Sequence, residues 1–382
     1  MIKDTPAMGW NSWNTFGPDI DEKVIMETAD AMVESGLLDA GYDYLVIDDC
    51  WHCKKRDSER RLKPNPEKFP HGMKYVSDYV HSKGLKFGIY SCAGSHTCAG
   101  YPGSFEYEFI DAQTFAEWGV DFLKYDYCFR PTNATGHTLY KRMGTALANC
   151  GRDILFSACS WGVDDTKEWI KTTGAHIWRS TPDIFDTFDS IKEIFAKQEK
   201  FQPYNGKGCF NDMDMLVVGM HGKGFAAKGG CTKAEYRTHF SIWALLNSPL
   251  MIGCDVRNMD DETKEILMNK EVIAINQDIG GHQPYTLTPR LQPFSVDHDA
   301  VVPVWFKLLD NGDYAIGMFN MDDEAHNMWF TMDDLGINRS TGKVFELKNL
   351  WTGETEEMCN GLYKSVIEPH DCRLFRARFV NE

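Results

Sequence analysis

The residues of this chain best suited to chemistry are carboxylates that close short apolar runs. In Lys124-Tyr125-Asp126-Tyr127-Cys128, Asp126 ends the β-type segment Val120–Tyr125, with a lysine two residues before it and a cysteine two after. A carboxylate presented at a strand end, beside a cation that keeps it ionised, is suited to act as a nucleophile. A second carboxylate follows in Trp178-Arg179-Ser180-Thr181-Pro182-Asp183, where Trp178-Arg179 opens another short strand. Two such carboxylates facing one pocket are the minimal apparatus for cleaving a glycosidic bond. Asp48-Asp49, Tyr90, Cys159-Ser160, Arg179, Asp212 and Asp214 also fall at or just beyond the ends of apolar segments.

These residues need elements to position them. β-Rich segments recur at Met8–Trp13, Tyr44–Asp48, Lys86–Ser91, Phe122–Asp126, Ile154–Cys159, His176–Ser180, Met213–Val218 and Leu250–Cys254. Amphipathic stretches lie between them, among them Glu22–Leu38, Lys74–Lys83, Ala112–Trp118, Leu139–Asn149 and Thr232–Leu246. Eight strands alternating with helices predict an α/β (β/α)8 TIM barrel, whose sites gather at the carboxyl ends of the strands. A doubly wound sheet would use fewer strands, and no GxGxxG opens a helix.

The texture changes after Asn276-Gln277-Asp278. Gly280-Gly281 and Pro284 punctuate a linker. Segments Val301–Lys307, Tyr314–Asn320, His326–Thr331, Lys343–Asn349 and Asp371–Arg378 follow, separated by turn signals such as Asp310-Asn311-Gly312. This spacing predicts a C-terminal antiparallel β-sandwich. The expected domains are a catalytic barrel over 1–284 and a sandwich over 285–382, the latter without chemistry of its own.

Composition narrows the partners. The 382 residues are 43% hydrophobic and 25% charged, with a formal net charge of −16 from 40 basic and 56 acidic side chains. The densest basic run, Lys54–Arg61, is interrupted by acids, so neither nucleic acid nor an anionic membrane is an expected partner. No apolar run approaches 18 residues and no leader pattern follows Met1, so a cytoplasmic protein is expected, or a secreted one if a leader was removed. The 12 cysteines are scattered, which fits a reduced compartment. Asp48, Asp49, His52 and Cys53 resemble a metal cluster only superficially, since no second His or acid cluster completes it; neither metal nor cofactor is expected.

Several long motifs occur in order: MGWNSWNTF, YLVIDDCW, RDSERRLKPNPEKFPHGM, HSKGLKFGIYS, TCAGYPGSFEYEFIDAQTFAEWGVDFLKYDYC, NDMDMLVVG, HFSIWALLNSPLMIGCDVRNM and EVIAINQD. Together they resemble glycoside hydrolase family 27, the α-galactosidase and α-N-acetylgalactosaminidase family, from about Thr5 to Asp278. The resemblance implies a retaining exo-glycosidase without cofactor, acting on terminal α-galactosyl residues of oligosaccharides or glycoconjugates. It makes Asp126 the nucleophile and Asp183 the general acid/base. It assigns Asp48 and Asp49 to the sugar's 4- and 6-hydroxyls, Lys124 to the 3- and 4-hydroxyls, and Arg179 to the neighbourhood of the 2-position. Trp10, Tyr90, Cys159, Asp214 and Met215 are expected to line the sugar pocket. Many members join the counterparts of Cys98 and Cys128 as a disulfide; in a reduced compartment packed thiols are expected instead. Family habit alone points to a homodimer.

These roles fit the chemistry. The nucleophile must be ionised and the acid protonated in one pocket. Lys124 is expected to favour charged Asp126, whose charge would in turn keep Asp183 protonated, with Arg179 opposing. Ser160 stands where many α-galactosidases carry Glu and the N-acetylgalactosamine enzymes carry Ser, which makes α-N-acetylgalactosaminidase the rival reading. β-L-Arabinopyranosidase is a more distant one, disfavoured by the presence of both Asp48 and Asp49. A silent sugar-binding module would keep the pocket but lose a carboxylate. Tyr127, in place of a smaller residue, is expected to narrow the pocket or shape an aglycone subsite.

Overall fold

The computed structural model describes residues 4–288 and 302–381. Eight parallel strands form one sheet: β1 (Met8–Asn11), β2 (Tyr44–Val46), β3 (Lys86–Cys92), β4 (Phe122–Asp126), β5 (Leu155–Ala158), β6 (Ile177–Arg179), β7 (Phe210–Asp212) and β8 (Leu250–Ile252). Helices cross between them, as the barrel pattern requires. Local chemistry sets their ends. Asp21 accepts the Val24 N–H at the start of Glu22–Glu34, a Thr232/Glu235 capping box opens Lys233–Leu245, and left-handed Gly119 closes Glu108–Trp118.

The expected seventh strand, Met213–Val218, is not a strand: the strand lies just before it. Phe210–Asp212 pairs with β6, and the chain then turns at Asp214, whose φ is 82°. Leu216 forms a single parallel bridge with Ile252 of β8, so the bent segment closes the barrel. The apolar run was visible because Met213, Leu216, Val217 and Val218 are all buried. Burial without alternation does not mark a strand.

Strand parity organises the interior. Val46, Phe122, Leu155, Ile177 and Met251 pack as a plug inside the sheet. Two residues further along their strands stand Asp48, Lys124, Ser157 and Arg179, which are polar.

After the barrel come β9 (Tyr285–Leu287), β10 (Val304–Leu308), β11 (Tyr314–Phe319), β12 (His326–Thr331), β13 (Lys343–Asn349), β14 (Thr355–Glu357), β15 (Leu362–Ile367) and β16 (Cys372–Asn381). Six form a sheet in the order β14-β13-β16-β11-β10-β9, and β12 pairs with β15. All pairs are antiparallel, and Phe306, Ile316, Phe330, Phe345 and Phe375 fill their core. Strands β9, β14 and β15 were not expected from the sequence. Two of them are three-residue edge strands, and Lys364-Ser365 interrupts the alternation of the third. Val301, the first residue of an expected strand, lies outside the described residues. Among the described residues no helix is long and apolar enough to cross a membrane.

Candidate active site

At the carboxyl ends of the barrel strands, Asp48, Asp49, Tyr90, Lys124, Asp126, Cys159, Arg179, Asp183, Asp214 and Met215 line one cavity of about 280 Å3. Asp126, the last residue of β4, is buried. The Tyr90 hydroxyl donates to its Oδ2 at 2.9 Å, and the Tyr127 N–H to its Oδ1 at 3.1 Å. Burial pushes the Asp126 carboxyl up to about 6; Lys124 and Tyr90 pull against this, while Asp48 and Asp183 reinforce it.

The sequence expectation for Lys124 is therefore corrected: its charge does not outweigh burial at Asp126. The reason is geometric. Lys124 Nζ lies 2.7 Å from Asp48 Oδ2, which also accepts the Asn11 amide at 2.8 Å. Burial alone would lower the Lys124 ammonium, yet Asp48 holds it above its ordinary value. Asp49 accepts the N–H groups of Cys50 at 2.7 Å and Ala99 at 3.0 Å; burial still raises its carboxyl.

On the opposite wall, buried Arg179 binds two acids through Nη2: Asp214 Oδ2 at 2.5 Å and Asp183 Oδ1 at 2.9 Å. Asp214 is further fixed by the N–H groups of Ile184 at 2.7 Å and Met215 at 2.8 Å. The bend after β7 is what turns this carboxylate into the cavity. The Asp183 side chain is 64% exposed, whereas Asp126 is only 6% exposed. The two carboxylates thus occupy unlike environments, one dry and one wet, within a single cavity.

Two expected pocket residues lie elsewhere. Trp10 is fully buried in the main core, packs edge-on against Phe16 at 6.1 Å and donates Nε1 to the Cys254 carbonyl at 2.8 Å. Trp13 lines the cavity in its place. Ser160 is fully buried, and its Oγ meets Thr166 Oγ1 at 2.6 Å; Trp161 takes the position on the wall. Both differences follow from a period of two, because Trp10 is one residue out of step with Asn11, and Ser160 with Cys159. Tyr127 likewise does not narrow the pocket: it is buried, and its hydroxyl binds Asp164 at 2.5 Å. Phe185, Phe225 and Ala226 also line the cavity and were not picked out from the sequence, where loop residues without periodicity give no signal.

Cys98 and Cys128 are joined as a disulfide, with Cα atoms 5.3 Å apart, which corrects the expectation of packed thiols. The loops after β3 and β4 hold them within bridging distance. Cys98 Sγ lies 3.2 Å from Asp126 Oδ2, a contact rather than a hydrogen bond, since a bridged sulfur carries no proton. These two sulfurs and Asp126 are the one grouping of metal-type donors among the described residues, and bridged sulfurs are not thiolate ligands. Cys50 and Cys53, three residues apart, are unbridged.

Comparison with known proteins agrees with this geometry. The family profile "Alpha galactosidase A" matches residues 5–278, and "Alpha galactosidase C-terminal beta sandwich domain" matches 299–377. The chain belongs to the α-galactosidase family, glycoside hydrolase family 27. Among α-galactosidase relatives, alpha-galactosidase 3 of Arabidopsis thaliana is 46% identical over 372 residues, covering 97% of this chain and 81% of that protein. Alpha-galactosidase I from Mortierella vinacea has a TM-score of 0.88 and 36% identity, covering 99% of this chain and 98% of that one. The α-galactosidase from Saccharomyces cerevisiae, solved with raffinose, has a TM-score of 0.86 and 30% identity at the same coverages.

Proposed function

We propose that the chain is an α-galactosidase that releases terminal α-galactosyl residues by a retaining double displacement. The observation that carries this reading is the pairing of buried Asp126 with exposed Asp183 in one cavity, beside the Asp48–Lys124 pair. Asp126 Oδ attacks the anomeric carbon while Asp183 gives its proton to the departing glycosidic oxygen, so that the C–O bond breaks and a glycosyl ester forms. Water then attacks the anomeric carbon, Asp183 takes the water's proton, and the ester bond breaks to free galactose. The exposed position of Asp183 lets the hydrolytic water reach it once the first step has left it deprotonated.

Asp48, Asp49 and Lys124 supply charge-assisted hydrogen bonds to sugar hydroxyls, and Tyr90 keeps the nucleophile oriented. Arg179, tied to Asp214, holds Asp183 from one side. Residues 1–284 carry this chemistry, and 285–382 form the supporting sandwich; the pairing of β9 with β10 supports a division just before Tyr285. The α-galactoside class of substrate is carried over from the family and from the raffinose held by the yeast relative. The case for N-acetylgalactosamine rested on Ser160, whose hydroxyl is engaged with Thr166 away from the cavity.

Initial rates on nitrophenyl α-galactoside and nitrophenyl α-N-acetylgalactosaminide, measured with one preparation, test the assignment. The galactoside is expected to be preferred at least tenfold, a difference of about 1.4 kcal/mol in transition-state binding. Preference for the N-acetylated sugar sinks it.

A further inference from the structure

Beyond the galactose cavity, a loop at its mouth has features that the proposed chemistry does not use. Residues 219–231 connect the barrel seam to helix Lys233–Leu245, and Phe225 and Ala226 of this loop line the cavity. The loop is tied down at many points. Fully buried Asp186 accepts the Gly222 N–H through Oδ2 at 2.7 Å and the Tyr236 hydroxyl through Oδ1 at 2.9 Å. The Asp186 carbonyl accepts the Gly230 N–H at 2.8 Å, and Phe225 and Ala226 donate their N–H groups to Thr15 at 3.1 Å and Asn14 at 2.9 Å.

This scaffold holds one large apolar side chain in the open. Phe225 is 57% exposed although its backbone is fixed on both sides. Its ring lies over Gly17, where a Cβ would come within 2.6 Å of the ring carbons and where φ is 49°. Trp13 meets it edge-on, with centroids 5.0 Å apart at 68°. Single exposed apolar residues are ordinary on protein surfaces. This one differs in lining the mouth of a polar cavity and in having a preset backbone, so that little conformational freedom is lost when a ligand covers it.

We propose that Phe225, backed by Trp13, forms a leaving-group subsite that stacks on the apolar face of a hexopyranose aglycone. The inference rests on the galactosidase reading above and extends it to substrate choice. Galactose fills the cavity lined by the carboxylates, and the sugar to which it is linked must emerge at the mouth where Phe225 stands. A pyranose ring offers a face of C–H groups that removes the phenyl ring from water, whereas a methyl aglycone is too small to cover it. Asp186 acts as a positioning residue that keeps the loop in place.

The test compares kcat/KM for galactosyl-α-1,6-glucose and for methyl α-galactoside, two substrates with alkyl leaving groups of different size. Phe225→Ala is expected to lower the disaccharide value about tenfold, mainly through KM, and to lower the methyl glycoside value by a severalfold smaller factor. Phe225→Tyr, which keeps the ring, is expected to retain the disaccharide value. Equal losses on both substrates, or no loss on the disaccharide, overturn the subsite. Inactivity of the unmodified enzyme on both substrates would instead overturn the galactosidase reading on which it stands.

Discussion

At Asp126 two effects compete, and burial wins: the carboxyl rises to about 6 with Lys124 close by, because that ammonium is held 2.7 Å from Asp48. The shift has a consequence for stability. Between its ordinary value of 3.8 and about 6, Asp126 binds more protons in the native state than in the unfolded one, so its contribution to stability falls as pH rises through that window. Above pH 6 the full destabilisation is present, roughly 3 kcal/mol at about 1.4 kcal/mol per pH unit. Asp126→Asn is therefore expected to abolish turnover and also to raise the thermal midpoint at pH 7.5. The gain should shrink towards zero at pH 4. A variant less stable than its parent at pH 7.5, or equally stabilised at both pH values, contradicts this account.

Among the elements, what was legible in the sequence was whatever repeats. Strands β1 to β6 and β8 stood out as short apolar runs, and the carboxylates at their ends, Asp48, Asp126 and Asp183, meet in one cavity. Parity within a strand was harder to read. Trp10 and Trp13 are both large and aromatic, and only the pairing of Asn11 with Asp48 fixes which of them faces the site. The same ambiguity misplaced Ser160. Strand β7 was missed for a different reason: it spans three residues, and the buried run beyond it owes its apolar character to packing in a bend, where Asp214 adopts φ 82°. The loop bearing Phe225 has no periodicity at all, and its order comes from long-range bonds to Asp186, Asn14 and Thr15.

On the scale of the whole molecule, polar and apolar contacts join the sandwich to the barrel. Arg237 pairs with Asp371 at 2.6 Å, Trp351 Nε1 donates to Ser241 Oγ at 2.9 Å, and Phe195 packs against Trp305 and Phe319. At this seam Lys307 of β10 is fully buried, donating to Asn247 Oδ1 at 2.6 Å and to the Ile275 carbonyl. Burial pushes its ammonium down to about 7, with Asp278 opposing. Between that value and the ordinary 10.5 the unfolded chain binds the extra proton, so this group makes stability rise with pH. Relative to Lys307→Met, the unmodified protein is expected to gain roughly 3 kcal/mol between pH 7 and 9.5, at about 1.4 kcal/mol per unit. Denaturation profiles of the two proteins that run parallel across that range would contradict it.

The central claim is that Asp126 and Asp183 act as nucleophile and acid/base in a retaining displacement. Proton NMR of the first galactose released from nitrophenyl α-galactoside, recorded before mutarotation, tests it most directly. The account predicts that the α-anomer appears first and only then relaxes to the equilibrium mixture. Initial release of the β-anomer would contradict it.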